Sequence, residues 1–223
     1  MTIPLIVISS PKSGAGKTTL AFNLASALLH DGYNVGIYSD FAPEFLQKRA
    51  ELQKSETALK IPQNISKEAL FAGNFSNCNA VIVDVPSEQN SAFIPILAQA
   101  HTLITLIKDE NDLSWQPQDA YLNIIWNVKK QQAAQGIKYL NWSVAKSLID
   151  TPSVSLSQQL EQQSRRFGFR LAPALCKREA YTHIKDGYGA ADLISTDNLK
   201  MSMSDVYARR ELLILADFIW QHK

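Results

Sequence analysis

Two lysines, a threonine and an aspartate stand where they could handle a phosphate chain. Lys12 and Lys17 bracket Ser13-Gly14-Ala15-Gly16, and Thr18 and Thr19 follow directly. Gly14 and Gly16 allow backbone angles and a close approach that side chains would block. Backbone N–H groups there, at a positive helix end, can face an anion. Lys17 is spaced to reach β- and γ-phosphates, and the Thr18 hydroxyl suits Mg²⁺. Downstream, Ala80-Val81-Ile82-Val83 ends in Asp84. A carboxylate delivered by such a strand holds Mg²⁺ directly or through its water. The candidate nucleotide set is therefore Lys12, Ser13, Gly14, Ala15, Gly16, Lys17, Thr18 and Thr19, with Thr18 and Asp84 as ligands of Mg²⁺. Lys17 is a candidate catalytic group.

The chemistry needs elements to hold it. Pro4-Leu5-Ile6-Val7-Ile8 reads as a buried strand, and residues 20–29 carry apolar positions at helical spacing. Strand, glycine loop and helix are the context that a phosphate loop requires. Further strands are expected at 33–38, 80–84, 102–107 and 139–145. Helices are expected at 44–59, 66–71, 93–100, from beyond Pro117 toward Asn127, at 158–166 and at 205–220. Residues 129–135 read as polar and flexible. Regular alternation implies one doubly wound α/β domain over 1–223 with a mostly parallel sheet. Ligands in such sheets bind at the carboxyl ends of the strands, where the loop, residues 39–44 and Asp84 converge.

Composition narrows the classes. The chain has 223 residues, a hydrophobic fraction of 46% and a net charge of +1. That suits one globular core and supplies no global field toward nucleic acid or membrane. Cys78 and Cys176 are too few for a disulfide framework or a zinc site. His30, His101, His183 and His222 show no ligand spacing and read as surface or incidental. No apolar run reaches a bilayer-spanning length, so a cytoplasmic protein without stable membrane insertion is expected. The helix at 205–220 could in principle target a membrane surface, but packing against the sheet is the favoured reading.

Position 11 is proline, where the general phosphate-loop pattern wants glycine, and Lys12 stands just before the loop. A lysine there cannot easily reach its own nucleotide but can reach one held by a second subunit. The loop resembles the deviant Walker A loop of the ParA/MinD family of dimerising P-loop ATPases. Within it the C-terminal third resembles the MipZ branch. The matching features are the Gly168-Phe169-Arg170 strand start, the spacing of Leu175, Arg178 and Tyr181, and Ala208-Arg209-Arg210-Glu211-Leu212. Trp126 and Trp142, flanking residues 129–135, add to the likeness.

The resemblance implies a nucleotide-controlled switch that is monomeric without ATP and dimeric with it. It implies non-specific binding of chromosomal DNA by the dimer, association with the nucleoid, contact with a ParB-like centromere-binding protein, and inhibition of FtsZ. It also exposes departures. Relatives end the second strand in an Asp-x-Asp pair, and here Ser39 and Phe41 fill those positions around Asp40. The resemblance implies Lys12 and Asp40 as further candidate catalytic groups; either Asp40 or Glu44 substitutes through a shifted backbone, or turnover is slow or lost. Relatives read adenine with an asparagine shortly after the strand at 139–145, where this chain has Lys146-Ser147-Leu148. Ser87 replaces a glycine after Asp84-Val85-Pro86.

Arg165, Arg166, Arg170, Lys177 and Arg178 form a local cation cluster. One reading is a DNA-backbone site doubled by dimerisation; the other is an ordinary solvated face with ion pairs. Two functional alternatives also stand. One is a binding module that keeps nucleotide without turnover. The other is a metabolic P-loop ligase resembling dethiobiotin synthetase, against which Lys12 and the C-terminal third argue.

Overall fold

The computed structural model describes residues 3–55, 58–109, 112, 119–137, 140–147, 154–194 and 202–220. Seven parallel strands form one sheet in the order β3-β2-β4-β1-β5-β6-β7. They are β1 (Leu5–Ser9), β2 (Val35–Tyr38), β3 (Gln63–Asn64), β4 (Ala80–Asp84), β5 (Thr102–Ile107), β6 (Trp142–Lys146) and β7 (Arg170–Leu171). The five longer strands match the apolar runs. β3 and β7 are two-residue edge strands. The first is too polar to signal a strand, and Arg170-Leu171 is too short for a period.

Alternation along β1 explains the two-sided packing. Ile6 and Ile8 face one core, and Leu5 and Val7 the other. Side chains of a strand point to opposite faces in turn, so a strand buried on both sides reads as continuous apolar sequence. The first face carries α1 (Lys17–His30), α2 (Ala42–Gln53) and α7 (Met203–Trp220); the second carries α3 (Lys67–Ala72), α4 (Ile94–Gln99), α5 (Ala120–Ala134) and α6 (Val154–Phe167). Parallel strands joined by crossover helices have to place helices on both faces.

Residues 129–134, read as flexible, are instead the last turns of α5. The helix is held there by tertiary contacts. Gln132 is buried and donates to the Ala98 carbonyl at 3.0 Å. Lys129 sits between the Trp126 and Trp142 rings and donates to the Phe167 carbonyl at 2.8 Å, satisfying the end of α6. α5 starts at Ala120 with Asp119 as its cap, accepting from Tyr121 and Leu122 N–H. Pro117 and Tyr139 lie outside the described residues.

α7 buries Ala208, Leu212, Leu215, Ala216 and Ile219 in the first core. No helix of the described residues is long and apolar enough to cross a membrane. The C-terminal residues that resemble the MipZ branch meet on this helix. Glu211 accepts from Arg178 Nε at 3.0 Å, from the Tyr181 hydroxyl at 2.9 Å and from the Cys176 backbone at 3.2 Å. The Leu-x-x-Arg-x-x-Tyr spacing is thus a tie between the segment after β7 and α7. Two histidines read as incidental also have structural partners. His101 Nδ1 accepts the Leu5 N–H at 3.0 Å, and His30 Nε2 lies 2.9 Å from Asp192.

Candidate phosphate and cation site

The loop between β1 and α1 turns on two glycines in the left-handed region, Gly14 at φ 77° and Gly16 at φ 86°. Any side chain at either position would be strained. Gly16 also precedes the first helical residue, and α1 has neither a side-chain cap nor an acid in its first turn. Its leading N–H groups are left for an anion. The loop is braced from outside. Ser10 Oγ donates to the Lys12 carbonyl at 2.6 Å, and the buried Asn90 amide donates to the carbonyls of Ser10 (3.0 Å) and Ser87 (2.9 Å).

Sheet register brings the second half of the site to the loop. Ile8 pairs with Asp84 across β1 and β4, and Tyr38 pairs with Val83 across β2 and β4. The strand ends therefore set Thr18, Ser39 and Asp84 side by side. Thr18 Oγ1 donates to Asp84 Oδ2 at 2.7 Å, and Ser39 Oγ donates to the same oxygen at 2.8 Å. Asp84 Oδ1 is buried without a partner. Burial pushes the Asp84 carboxyl up from its ordinary range, and the two hydroxyls and Lys17 only partly offset it. Lys17 is itself buried and donates to Ser87 Oγ at 2.6 Å. Burial lowers its pKa against the pull of Asp84 and Glu88. A buried cation and a buried acid held this way fit a site that completes its charge balance with a phosphate and a divalent cation. Among the described residues no group of three or more His, Cys, Asp or Glu side chains could hold a metal alone. The Asp84 carboxylate beside the Thr18 hydroxyl suits Mg²⁺, which uses one or two carboxylates together with phosphates.

Asp40 is not part of this cluster. It is exposed and acts on Asp84 and on the Tyr38 hydroxyl through its charge. Glu44 is also exposed and pairs with Lys48 at 2.8 Å. Lys12 is half exposed and lies 3.1 Å from the nearly buried Asp112 of its own chain. Ser13 and Gly14 are exposed, Ala15 is buried, and Thr19 is half-buried. Ser147 is buried with its hydroxyl unpartnered, lining a small cavity with Gly16, Thr19, Asn23 and Tyr181.

The cation cluster separates. Arg165 and Arg166 are exposed at the end of α6. Arg170 stacks on Phe218 with its guanidinium carbon 4.3 Å from the ring centroid. Arg178 is paired with Glu211. Lys177 and Arg178 line a cavity of about 280 Å³ with Thr19, Lys108, Thr182 and Lys185, beside the phosphate loop. Lys108 and Lys185 carry no signal in the sequence, because lysines on separate loops become neighbours only through the fold. The same holds for Asn90 and Asp112.

Known proteins share this architecture. The family model of ATPase MipZ matches residues 46–219, a span that begins after the phosphate loop. No curated relative matches in sequence. Among solved structures, an ATP complex of McdA from Cyanothece superposes with TM-score 0.60 at 15% identity, covering 100% of this chain and 98% of that one. An AMPPNP-bound putative plasmid partition protein from Borrelia burgdorferi gives 0.59 at 13% identity, covering 97% and 98%. The ADP- and magnesium-bound cobyrinic acid a,c-diamide synthase of Mycobacterium smegmatis gives 0.53 at 18% identity, covering 87% and 94%. At these identities the likeness shows the fold, that of the ParA/MinD-type P-loop proteins. The family match spans most of the sequence, and the chain belongs to the MipZ ATPase family.

Proposed function

We propose that the protein is an ATP- and Mg²⁺-dependent switch of the ParA/MinD type that self-associates when loaded and acts in spatial regulation of division or partitioning. The observation that carries the reading is the meeting of Lys17, Thr18 and Asp84 at the carboxyl ends of β1 and β4, beside an uncapped α1. The loop amides and Lys17 hold the phosphates, and Thr18 and Asp84 hold Mg²⁺, which screens the phosphate charge. Lys12 stands outside its own cradle and reaches toward a nucleotide on a second copy. Solved proteins of the same fold carry ATP, AMPPNP, or ADP and magnesium, which supports the same ligands here. Non-specific DNA binding, and a ParB-like protein and FtsZ as partners, extend the family reading. Light scattering with saturating ATP and Mg²⁺ tests it: a shift to dimer is expected, and a persistent monomer overturns it.

A second reading is favoured by one observation. The cluster holds a single carboxylate, because Ser39 occupies the strand end and Asp40 is exposed outside it. The loaded form then persists with slow or absent hydrolysis. Phosphate release at or below the buffer rate, despite measured ATP binding, supports that reading; release stimulated by DNA removes it. The ligase alternative shares the fold of the diamide synthase but lacks a comparable family match.

A further inference from the structure

We propose that Ser39 is a positioning residue of the cation site, holding the Asp84 carboxylate in the orientation that a divalent ion requires. This rests on the reading that Thr18 and Asp84 hold that ion. Ser39 follows the last residue of β2, and the pairing of Tyr38 with Val83 sets it beside Asp84 one step farther along the parallel strands. Its hydroxyl is fixed at two points. It donates to Asp84 Oδ2 at 2.8 Å and accepts the Phe41 N–H at 3.3 Å, in the turn that opens α2. The residue is 6% exposed, so water does not readily replace the bond.

Thr18 and Ser39 together occupy Oδ2 and leave Oδ1 buried and unpartnered. Two donors on one oxygen, arriving from α1 and from β2, stop the carboxylate from rotating. With one donor the group can turn about its terminal bond, whose torsional preference is broad. The residue type fits the role. A carboxylate at 39 would set a second negative group against a buried acid that is already pushed toward protonation. A hydroxyl supplies the donor without the charge. Ser39 therefore supports the one carboxylate of the cluster. Partners of this kind commonly change metal affinity by about ten- to a hundred-fold when removed.

The test uses Mn²⁺ as a paramagnetic stand-in for Mg²⁺, titrated by electron paramagnetic resonance into the full chain with AMPPNP. Nucleotide affinity in EDTA and thermal midpoint are measured in parallel. Ser39→Ala is expected to weaken Mn²⁺ binding about ten-fold, with nucleotide affinity in EDTA unchanged and a midpoint lowered by the loss of one buried hydrogen bond but still above the assay temperature. Ser39→Thr, which keeps the hydroxyl, is expected to restore it. Mn²⁺ affinity unchanged in Ser39→Ala overturns the proposal. So does an equal loss of affinity in EDTA, which would make Ser39 a support of the loop alone. If the wild-type chain binds no Mn²⁺ with AMPPNP, the functional reading fails first and this inference falls with it.

Discussion

The Lys12 ammonium lies 3.1 Å from the Asp112 carboxylate of the same chain, an exposed cation resting on an anion that is only 5% exposed at its side chain. Asp112 is fixed by the Lys108 N–H at 2.9 Å, so Lys12 is the partner that can leave. If Lys12 serves a second subunit, its pairing with Asp112 competes with that role. Asp112→Asn keeps an acceptor for the Lys108 N–H and removes the charge. A half-exposed pair contributes at most about 1 kcal/mol. Two such pairs open per dimer, so ATP-dependent self-association is expected to tighten up to about thirty-fold by analytical ultracentrifugation. Lys12→Ala is expected to abolish association while monomer nucleotide binding persists. Wild-type-like dimers in Lys12→Ala would remove Lys12 from the mechanism.

Asp84 links function to a stability cost. Its pKa is raised by burial above the ordinary value of 3.8, so the folded state takes up a proton more readily than the unfolded one. Folding gains from that protonation at low pH, and the gain is lost as pH rises through the folded pKa. At neutral pH the ion-free protein carries a buried charge that Asp84→Asn removes. The variant is expected to have a higher thermal midpoint than wild type at pH 7 in EDTA. The difference should close as pH falls through the raised pKa. Its Mn²⁺ binding should disappear. A lower midpoint at pH 7 would mean that the Thr18 and Ser39 hydrogen bonds outweigh the burial.

The parts of this site that are legible in the sequence share one property: each is marked by its own local context, a glycine loop before a helix or the end of an apolar strand. Lys17, Thr18 and Asp84 can be read because strand, loop and helix are contiguous and buried parallel strands announce themselves as apolar runs. Ser39 is legible only as a departure, since its value depends on the register of β2 against β4. Asp112 and Asn90 act on the loop from 100 and 80 residues away (Lys12 and Ser10 being their partners), and no local pattern marks them. The polar stretch at 129–135 misleads because its helix is stabilised by Ala98, Phe167 and two tryptophan rings rather than by an apolar period. Residues 175, 178 and 181 stand out by their spacing, but the physical reason for it, Glu211, lies far along the chain in α7.

Arg49 and Asp192 bind α2 to the rest of the first core. The guanidinium is 1% exposed and donates to Asp192 at 2.6 and 3.0 Å, to the Gly187 carbonyl at 2.9 Å and to the Lys60 carbonyl at 2.6 Å. Burial alone would push the Asp192 carboxyl up. His30, Arg49 and the Gly189 N–H outweigh it and hold the group well below the usual carboxylate range. A depressed pKa stabilises the fold above the ordinary value of 3.8, and that stability is lost as pH falls toward the folded pKa. Asp192→Asn leaves a buried guanidinium without its anion and is expected to cost about 3–5 kcal/mol at pH 7 by urea denaturation. The gap from wild type should narrow below the ordinary carboxylate pKa. A loss under about 1 kcal/mol would show that the carbonyls of Gly187 and Lys60 suffice.

The separated cations make DNA binding a question about Arg165, Arg166 and Lys177 rather than about all five. Arg178 is committed to Glu211 and Arg170 to Phe218, so their removal disturbs α7 whether or not DNA is bound. Arg165 and Arg166 are exposed in the last turn of α6, where the Arg166 guanidinium lies over the adjacent Phe167 ring. If the loaded protein holds a DNA backbone through this end, each neutralised phosphate releases counterions and steepens the salt dependence by about 0.9. The double change Arg165→Ala, Arg166→Ala is expected to reduce the slope of log affinity against log salt by about one per arginine that pairs with a phosphate, with an unchanged thermal midpoint. Arg178→Ala should instead lower the midpoint, because it leaves Glu211 without its cation. Fluorescence anisotropy with a random duplex, at several salt concentrations with ATP and Mg²⁺, measures the slope. A slope unchanged in the Arg165 and Arg166 double variant would return α6 to a solvated face. It would shift any DNA contact toward the lysines around the cavity beside Thr19, where Lys108, Lys177 and Lys185 gather.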